Sequence, residues 1–156
     1  NMVSEGRLSS ESKLEIRGML REVTEIESIG DSCYNLARTI NRKRSGGNDF
    51  TEKQYEHIHQ MMQLTNDALA HMIAVVEDDH HVVDVNKSFN IENEINNYRA
   101  QLKNQNVVDV NNKEYDYQMG VHYMDIIGEC EKLGDYVVNV VEARTNVKEK
   151  KTGDNR

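Results

Sequence analysis

The sequence predicts an all-α fold, a single four-helix bundle domain, and three observations carry the prediction. The 156 residues include no Pro, no Trp and only 9 Gly, so the turn residues that a strand-rich chain needs at short intervals are scarce. Apolar residues recur in alternating steps of three and four over long stretches, the spacing of one helical face. The 29 % charged fraction suits helices with one wet face. A chain of this length can bury its own core as one domain.

The first helix is expected over about residues 10–44. Ile16, Met19, Val23, Ile26, Gly30, Cys33, Ala37 and Ile40 fall at heptad spacing and predict one buried stripe, which Leu20, Ile29 and Leu36 widen. Residues 45–48 break it. The second helix, residues 51–78, opens on Thr51 as N-cap with Glu52 in its first turn. Its stripe is Ile58, Met62, Thr65, Leu69, Met72 and Val76, flanked by Met61, Ala68 and Val75, and the polar turn Glu77-Asp78-Asp79-His80-His81 closes it. The third helix, residues 82–104, has a thin apolar face of Phe89, Ile95, Tyr98 and Leu102. Residues 104–112 read as a loop with a short apolar stretch at 107–110. The last helix, residues 113–148, carries Tyr123, Ile127, Cys130, Gly134, Val137 and Val141 at heptad spacing.

The net charge of −8, from 19 basic and 27 acidic residues, argues against nucleic acid, whose phosphates are held mainly by Lys and Arg. The one basic cluster, Arg42-Lys43-Arg44, reads as a helix C-terminus complementing the dipole. The tail, residues 148–156, is charged and expected to fray. No apolar run approaches the roughly 20 residues that span a bilayer, and no signal peptide is visible, so the domain itself is not expected to cross a membrane. Cys33 and Cys130 both lie in apolar helical patterns and are expected as buried reduced thiols, which fits a cytoplasmic location. Asn1 stands before Met2, where a native start would be the Met, so the sequence reads as a domain cut from a longer protein.

The first and last helices repeat each other. A shift of 104 positions aligns Glu25 with Glu129, Glu27 with Glu131, Gly30 with Gly134, Asp31 with Asp135 and Asn35 with Asn139, all identical. Val23/Ile127, Ile29/Leu133 and Leu36/Val140 are conservative pairs in the same window. Coiled-coil bias explains recurring apolar residues, but not Glu-x-Glu-x-x-Gly-Asp-x-x-x-Asn appearing twice.

Residues four apart share one side of a helix. Glu27, Asp31 and Asn35 therefore form one ladder of oxygen ligands, and Glu131, Asp135 and Asn139 another. Neither ladder has a basic residue on its own face, so the carboxylates repel unless something compensates. A bound cation is one answer, since Mg²⁺ takes oxygen ligands and iron or manganese accepts carboxylates. Solvation, or hydrogen bonds to a neighbouring helix, is the other. Gly30 and Gly134 each cost about 1 kcal/mol relative to Ala in a helix interior. Close approach of another helix would compensate.

These residues resemble the signature of the PhoU family, a Glu-Arg-Ile-Gly-Asp-x-x-x-Asn-Ile-Ala-like run on the third helix of each three-helix repeat. Glu27-Ser28-Ile29-Gly30-Asp31 with Asn35-Leu36-Ala37 is similar to it, as is Glu131-Lys132-Leu133-Gly134-Asp135 with Asn139-Val140-Val141. The resemblance implies one complete repeat preceded by the last helix of another. It also implies a cytoplasmic regulator of phosphate uptake, attached at the inner membrane to a sodium/phosphate cotransporter-like protein through a transporter membrane domain in the same or a partner chain. Some members bind metal clusters through a Glu/Asp-x-x-x-Asp pair on adjacent helices. Here Glu27/Asp31 and Glu131/Asp135 match one half of that pattern. The other half aligns best with Glu94 followed by Tyr98, so its second carboxylate is missing, and Glu92 with Asn96 substitutes in part. The family's Arg is replaced by Ser28 and Lys132.

Other classes find less in the sequence. No nucleophilic triad, phosphate-binding loop or dinucleotide glycine pattern is present, so no enzyme is expected. A di-metal oxidase needs two Glu-x-x-His pairs inside helices, and Glu77/His80, which has that spacing, falls in a polar turn. A phosphotransfer module would present one exposed His, for which His57, His59 and His71 are the positions to examine. The main rival is a purely structural bundle or homodimer, in which both motifs only pack helices.

Overall fold

The computed structural model describes residues 9–45 and 49–146, the side chains of Arg44 and Ser45 excepted. The tail at 148–156 and the break at 46–48 lie outside them. Four helices follow in order, α1 (Ser10–Ser45), α2 (Glu52–Val76), α3 (Asn86–Asn111) and α4 (Tyr117–Thr145), with no strand among the described residues. The all-α expectation holds.

Local chemistry sets the ends. The Ser9 hydroxyl accepts the Ser12 N–H at the start of α1. Thr51 caps α2 as expected: its hydroxyl accepts the Gln54 N–H while the Gln54 side chain accepts the Thr51 N–H, a reciprocal capping box. The expected start of α3 at residue 82 is too early. The Asp78 carboxylate accepts the Val83 and His80 N–H groups and holds a turn there. The expected end near 104 is also too early, because Asn and Val, poor intrinsic helix formers, are held helical by tertiary contact. A Cβ on Gly120 would meet Val110 Cγ2 at 2.9 Å, the Tyr115 hydroxyl donates to Asn106, and Gln105 donates to Asp109 one turn on. α4 starts at Tyr117 rather than 113 because Asp116 is its cap and accepts the Met119 N–H.

α4 is the axis of the molecule. It packs against α1, α2 and α3, and α2 packs against α3, while among the described residues α1 runs beside α4 alone. Only near its C-terminal end does α1 reach further, where Lys43 sits 5.1 Å from the centre of the Phe50 ring and Ile40 lines an apolar cavity with Ile58 and Met62. The core lies among α2, α3 and α4. Met61, Ile95, Tyr123, Ile126, Ile127, Cys130, Val137, Val140 and Val141 are fully enclosed there. The α4 stripe is buried throughout, as expected.

The α1 stripe is not. Met19, Val23, Ile26 and Leu20 are 63, 57, 45 and 62 % exposed, and Gly30, Cys33 and Ala37 are exposed too. Ile29, Ser32 and Leu36 are buried against α4 instead. The expected burial of Cys33 fails with the stripe, whereas Cys130 is enclosed and its thiol is pushed up to about 11, chiefly by burial. The periodicity on α1 is genuine, but no described element covers it.

Candidate functional site

The two motifs are held together by an antiparallel crossing of α1 on α4. Arg21 pairs with Glu142 at 3.2 Å, Asn139 Nδ2 donates to Glu25 Oε2 at 3.1 Å, and the Ser32 hydroxyl donates to Glu129 Oε2 at 2.8 Å. The 104-residue shift that relates the sequences exchanges Glu25 for Glu129, so each motif's first Glu faces the other helix. The contacts themselves are not exchanged by that shift, since Asn139 serves Glu25 while Ser32, not Asn35, serves Glu129. Glu129 also meets Lys132 one turn on, at 3.4 Å.

Beyond the crossing the two ladders part. On α4, Glu131 forms an ion pair with Arg99 of α3, and Asp135 lies beside Glu92 of α3. Glu92 is 8 % exposed and accepts Asn96 Nδ2 at 2.7 Å. Asn96 Oδ1 is buried with no protein partner. Glu92, Asn96 and Arg99 are four and three residues apart, hence on one side of α3. Asp135 keeps an open edge to solvent, yet its carboxyl is pushed up to about 6. Desolvation is the largest cause, followed by the charges of Glu92 and Glu131 and a hydrogen bond with Glu92, with Arg99 pulling the other way. Repulsion within the ladder is thus answered by a guanidinium from the next helix and by a carboxyl that takes a proton easily.

On α1, Glu27, Asp31 and Asn35 are exposed and, among the described residues, Glu27 and Asp31 meet no cationic group. The glycines divide the same way. A Cβ on Gly134 would meet Ile95 Cδ1 at 3.2 Å, whereas one on Gly30 would meet nothing within 4 Å. Close packing explains the first glycine and not the second.

Glu94 is exposed and stands apart from this group. Its place opposite Asp135 is taken by Glu92, with Asn96 one turn on. The i, i+4 spacing of that pair was visible in the sequence, but the helix phase that turns it toward α4 was not. Arg99 was missed because its partner lies on another helix. Among the described residues, no three or more His, Cys, Asp or Glu side chains are gathered in a form ready to hold a metal ion.

Of the three candidate histidines, His57 and His71 have structural partners and His59 is exposed. His57 Nδ1 lies 2.9 Å from the Tyr123 hydroxyl and His71 Nδ1 lies 2.6 Å from the Ser88 hydroxyl. Burial is the first cause holding both below the ordinary imidazole range, with Lys53 and Lys87 adding to it.

Comparison with known proteins bears on the same elements. No curated protein and no solved structure matches the chain. The family model described as the PhoU domain matches residues 58–143, from inside α2 to within two residues of the end of α4. That span is more than half of the chain and contains the whole second motif together with Glu92, Asn96 and Arg99 on the helix that faces it. The chain therefore belongs to the PhoU family.

Proposed function

We propose that this domain regulates phosphate uptake by contact, docking from the cytoplasmic side on the membrane domain of a sodium/phosphate cotransporter-like protein in the same or a partner chain. PhoU domains are associated with regulation of phosphate uptake, and the family is regulatory rather than enzymatic. No helix among the described residues is long and apolar enough to cross a membrane, so on this reading the membrane part lies outside them, in the same or a partner chain.

The observation that carries the reading is the acidic group on the α3–α4 seam. Glu131 and Asp135 stand at its solvent edge, over a buried Glu92, and one of these carboxyls titrates near 6. Such a group exchanges charge with whatever is set against it. A basic loop of the transporter keeps Asp135 ionised and is held by it; withdrawal of the loop lets the carboxyl take a proton. Glu131→Ala/Asp135→Ala in the full-length protein should alter phosphate uptake in cells while the purified domain keeps its helical circular dichroism. Uptake that stays at the wild-type level would overturn the reading.

A cation is the second reading, favoured by one observation, the buried unpartnered Asn96 Oδ1 on a side chain that holds Glu92. Glu92, Asn96, Glu131 and Asp135 offer hard oxygen ligands of the kind Mg²⁺ or manganese takes, and an iron-type ion would accept the carboxylates. Arg99 already holds Glu131, so a cation competes with the guanidinium. Arg99→Ala should then raise Mn²⁺ binding measured by calorimetry; heat that is absent from both proteins would leave contact alone.

A further inference from the structure

We propose that the cavity among the first turns of α2, the last turns of α3 and the start of α4 binds an uncharged cyclic amide, the chemistry of a free nucleobase or its nucleoside, through a ring carbonyl held by Gln54. The cavity measures about 230 Å³, below the range of about 300–1,000 Å³ typical of drug-sized ligands, and suits one small ring system. Its closed end is made by Gln54, Leu102 and Tyr123, which are 3, 3 and 2 % exposed, and by half-buried His57 and Tyr115. Lys53 and Glu114 stand exposed at its mouth, and Asp109 is half-buried. The regulatory reading uses none of these residues: Tyr123 lies twelve residues before Asp135, about 18 Å along α4.

Three observations set the chemistry of the ligand. The first is a buried donor without a partner. The capping box commits Gln54 Oε1 to the Thr51 N–H, which fixes the amide, since a flipped amide would set two donors against each other. Gln54 Nε2 is left buried with no hydrogen bond. It lies near the Tyr115 hydroxyl without bonding to it, and that hydroxyl donates to Asn106 Oδ1 at 2.6 Å. An unmet buried donor costs free energy that an acceptor entering the cavity removes. The second is charge. Burial, with Lys53 adding to it, holds His57 below the ordinary imidazole range, so among the described lining residues the closed end has no positive charge at neutral pH. A carboxylate or phosphate there would be buried unpaired, and toward the mouth Asp109 and Glu114 outnumber Lys53. A carbonyl brings the acceptor without the charge, and ring N–H groups or ribose hydroxyls bring donors to the mouth carboxylates. The third is shape. His57, Tyr115 and Tyr123 contribute rings and Leu102 an apolar side chain, a wall that favours a flat ring over a flexible chain.

Proton–nitrogen correlation spectra of the purified 156-residue chain, titrated with uracil, uridine and orotate, test this. Uracil should shift the Gln54 side-chain amide saturably, with a Kd of about 1 mM or tighter, and give intermolecular Overhauser contacts to the Tyr115 ring and the Leu102 methyls. Uridine binding as well as uracil names the nucleoside as the occupant, and uridine excluded names the free base. Orotate, the same ring with a carboxylate, should bind at least about 10-fold more weakly. Gln54→Glu keeps an acceptor for the Thr51 N–H and removes the donor. It should weaken uracil binding at least about 10-fold with unchanged circular dichroism. Gln105→Trp, which crowds the mouth from an exposed position, should weaken it too and decides the matter if Gln54→Glu fails to fold. No saturable shift with uracil or uridine, shifts confined to residues outside the cavity, or orotate binding as tightly as uracil overturns the proposal. Binding that survives either variant overturns it equally.

Discussion

The two copies of the Glu-x-Glu-x-x-Gly-Asp-x-x-x-Asn motif share five identical residues and differ in nearly everything else. On α4 the motif is covered by α3: Gly134 lies under Ile95, Glu131 is paired with Arg99, and Asp135 is crowded by Glu92. On α1 the same residue types face outward and Gly30 looks onto open space. Only the first Glu of each copy is used alike, toward the opposite helix. Identical side chains are thus a packing device, a titrating group or a solvated ladder according to what the next helix brings.

The sharpest way to break this comparison is the pair of thiols. Cys130 is enclosed and its thiol is raised to about 11, while Cys33 is exposed. In dilute solution at pH 8, a thiol reagent should modify Cys33 at least about 1,000-fold faster, because Cys130 reacts only when the core opens. Comparable rates for both would mean that the core is not closed around α4.

Next in size are the glycines. Gly134→Leu must displace Ile95 and should cost about 3 kcal/mol or prevent folding, whereas Gly30→Leu on the open face should melt in dilute solution within a few degrees of wild type. Thermal denaturation followed by circular dichroism separates the two. Equal losses would require an element over α1 as close as α3 is over α4.

Asp135 gives a pH signature. Its carboxyl in the folded domain titrates near 6, above the ordinary value of about 4 for Asp, so the folded state keeps a proton that the unfolded chain has lost. Stability from this group is fully present below about pH 4 and falls as pH rises through 6. Asp135→Asn should accordingly gain about 1 kcal/mol above pH 6, screened by solvent at its open edge, and nothing at pH 4. Urea melts of Asp135→Asn and the wild type across that range read the difference.

The smallest difference sharpens the picture from the other side. Gly30→Ala should raise stability by about 0.5–1 kcal/mol, the helix propensity difference, since its Cβ meets nothing. Gly134→Ala should stay near zero, because the same gain is offset by a 3.2 Å approach to Ile95 Cδ1. The difference between the two Tm values reads the contact directly.

Much of this was legible in the residues. Thr51 with Gln54 three residues on is a capping box in sequence and in space, and the α4 stripe from Tyr123 to Val141 is both periodic and buried. The C-terminal end of α3 was not legible, because local propensity there is poor. Residues 105–111 are Asn- and Val-rich and read as a loop, but Val110 packed against Gly120 keeps them helical. Of the candidate site, Glu131 and Asp135 could be read from the repeat, while Glu94 was preferred to Glu92. Two residues on a helix are 200° apart, so the choice between them rests on which side of α3 faces α4. The faces are equally polar there, and only packing distinguishes them.

The residues alone determined what depends on neighbours along the chain: helical periodicity, caps, the 104-residue repeat and the acidic ladders it carries. These follow from 3.6 residues per turn and from hydrogen bonds that span three or four positions. Tertiary structure decided what depends on neighbours across space. It buried one apolar stripe and left its counterpart bare, gave one ladder an arginine and a raised carboxyl, and assigned Cys130 to the core and Cys33 to the surface. Burial and electrostatics are properties of the surroundings rather than of the residue, so two identical motifs in one chain came to do different things.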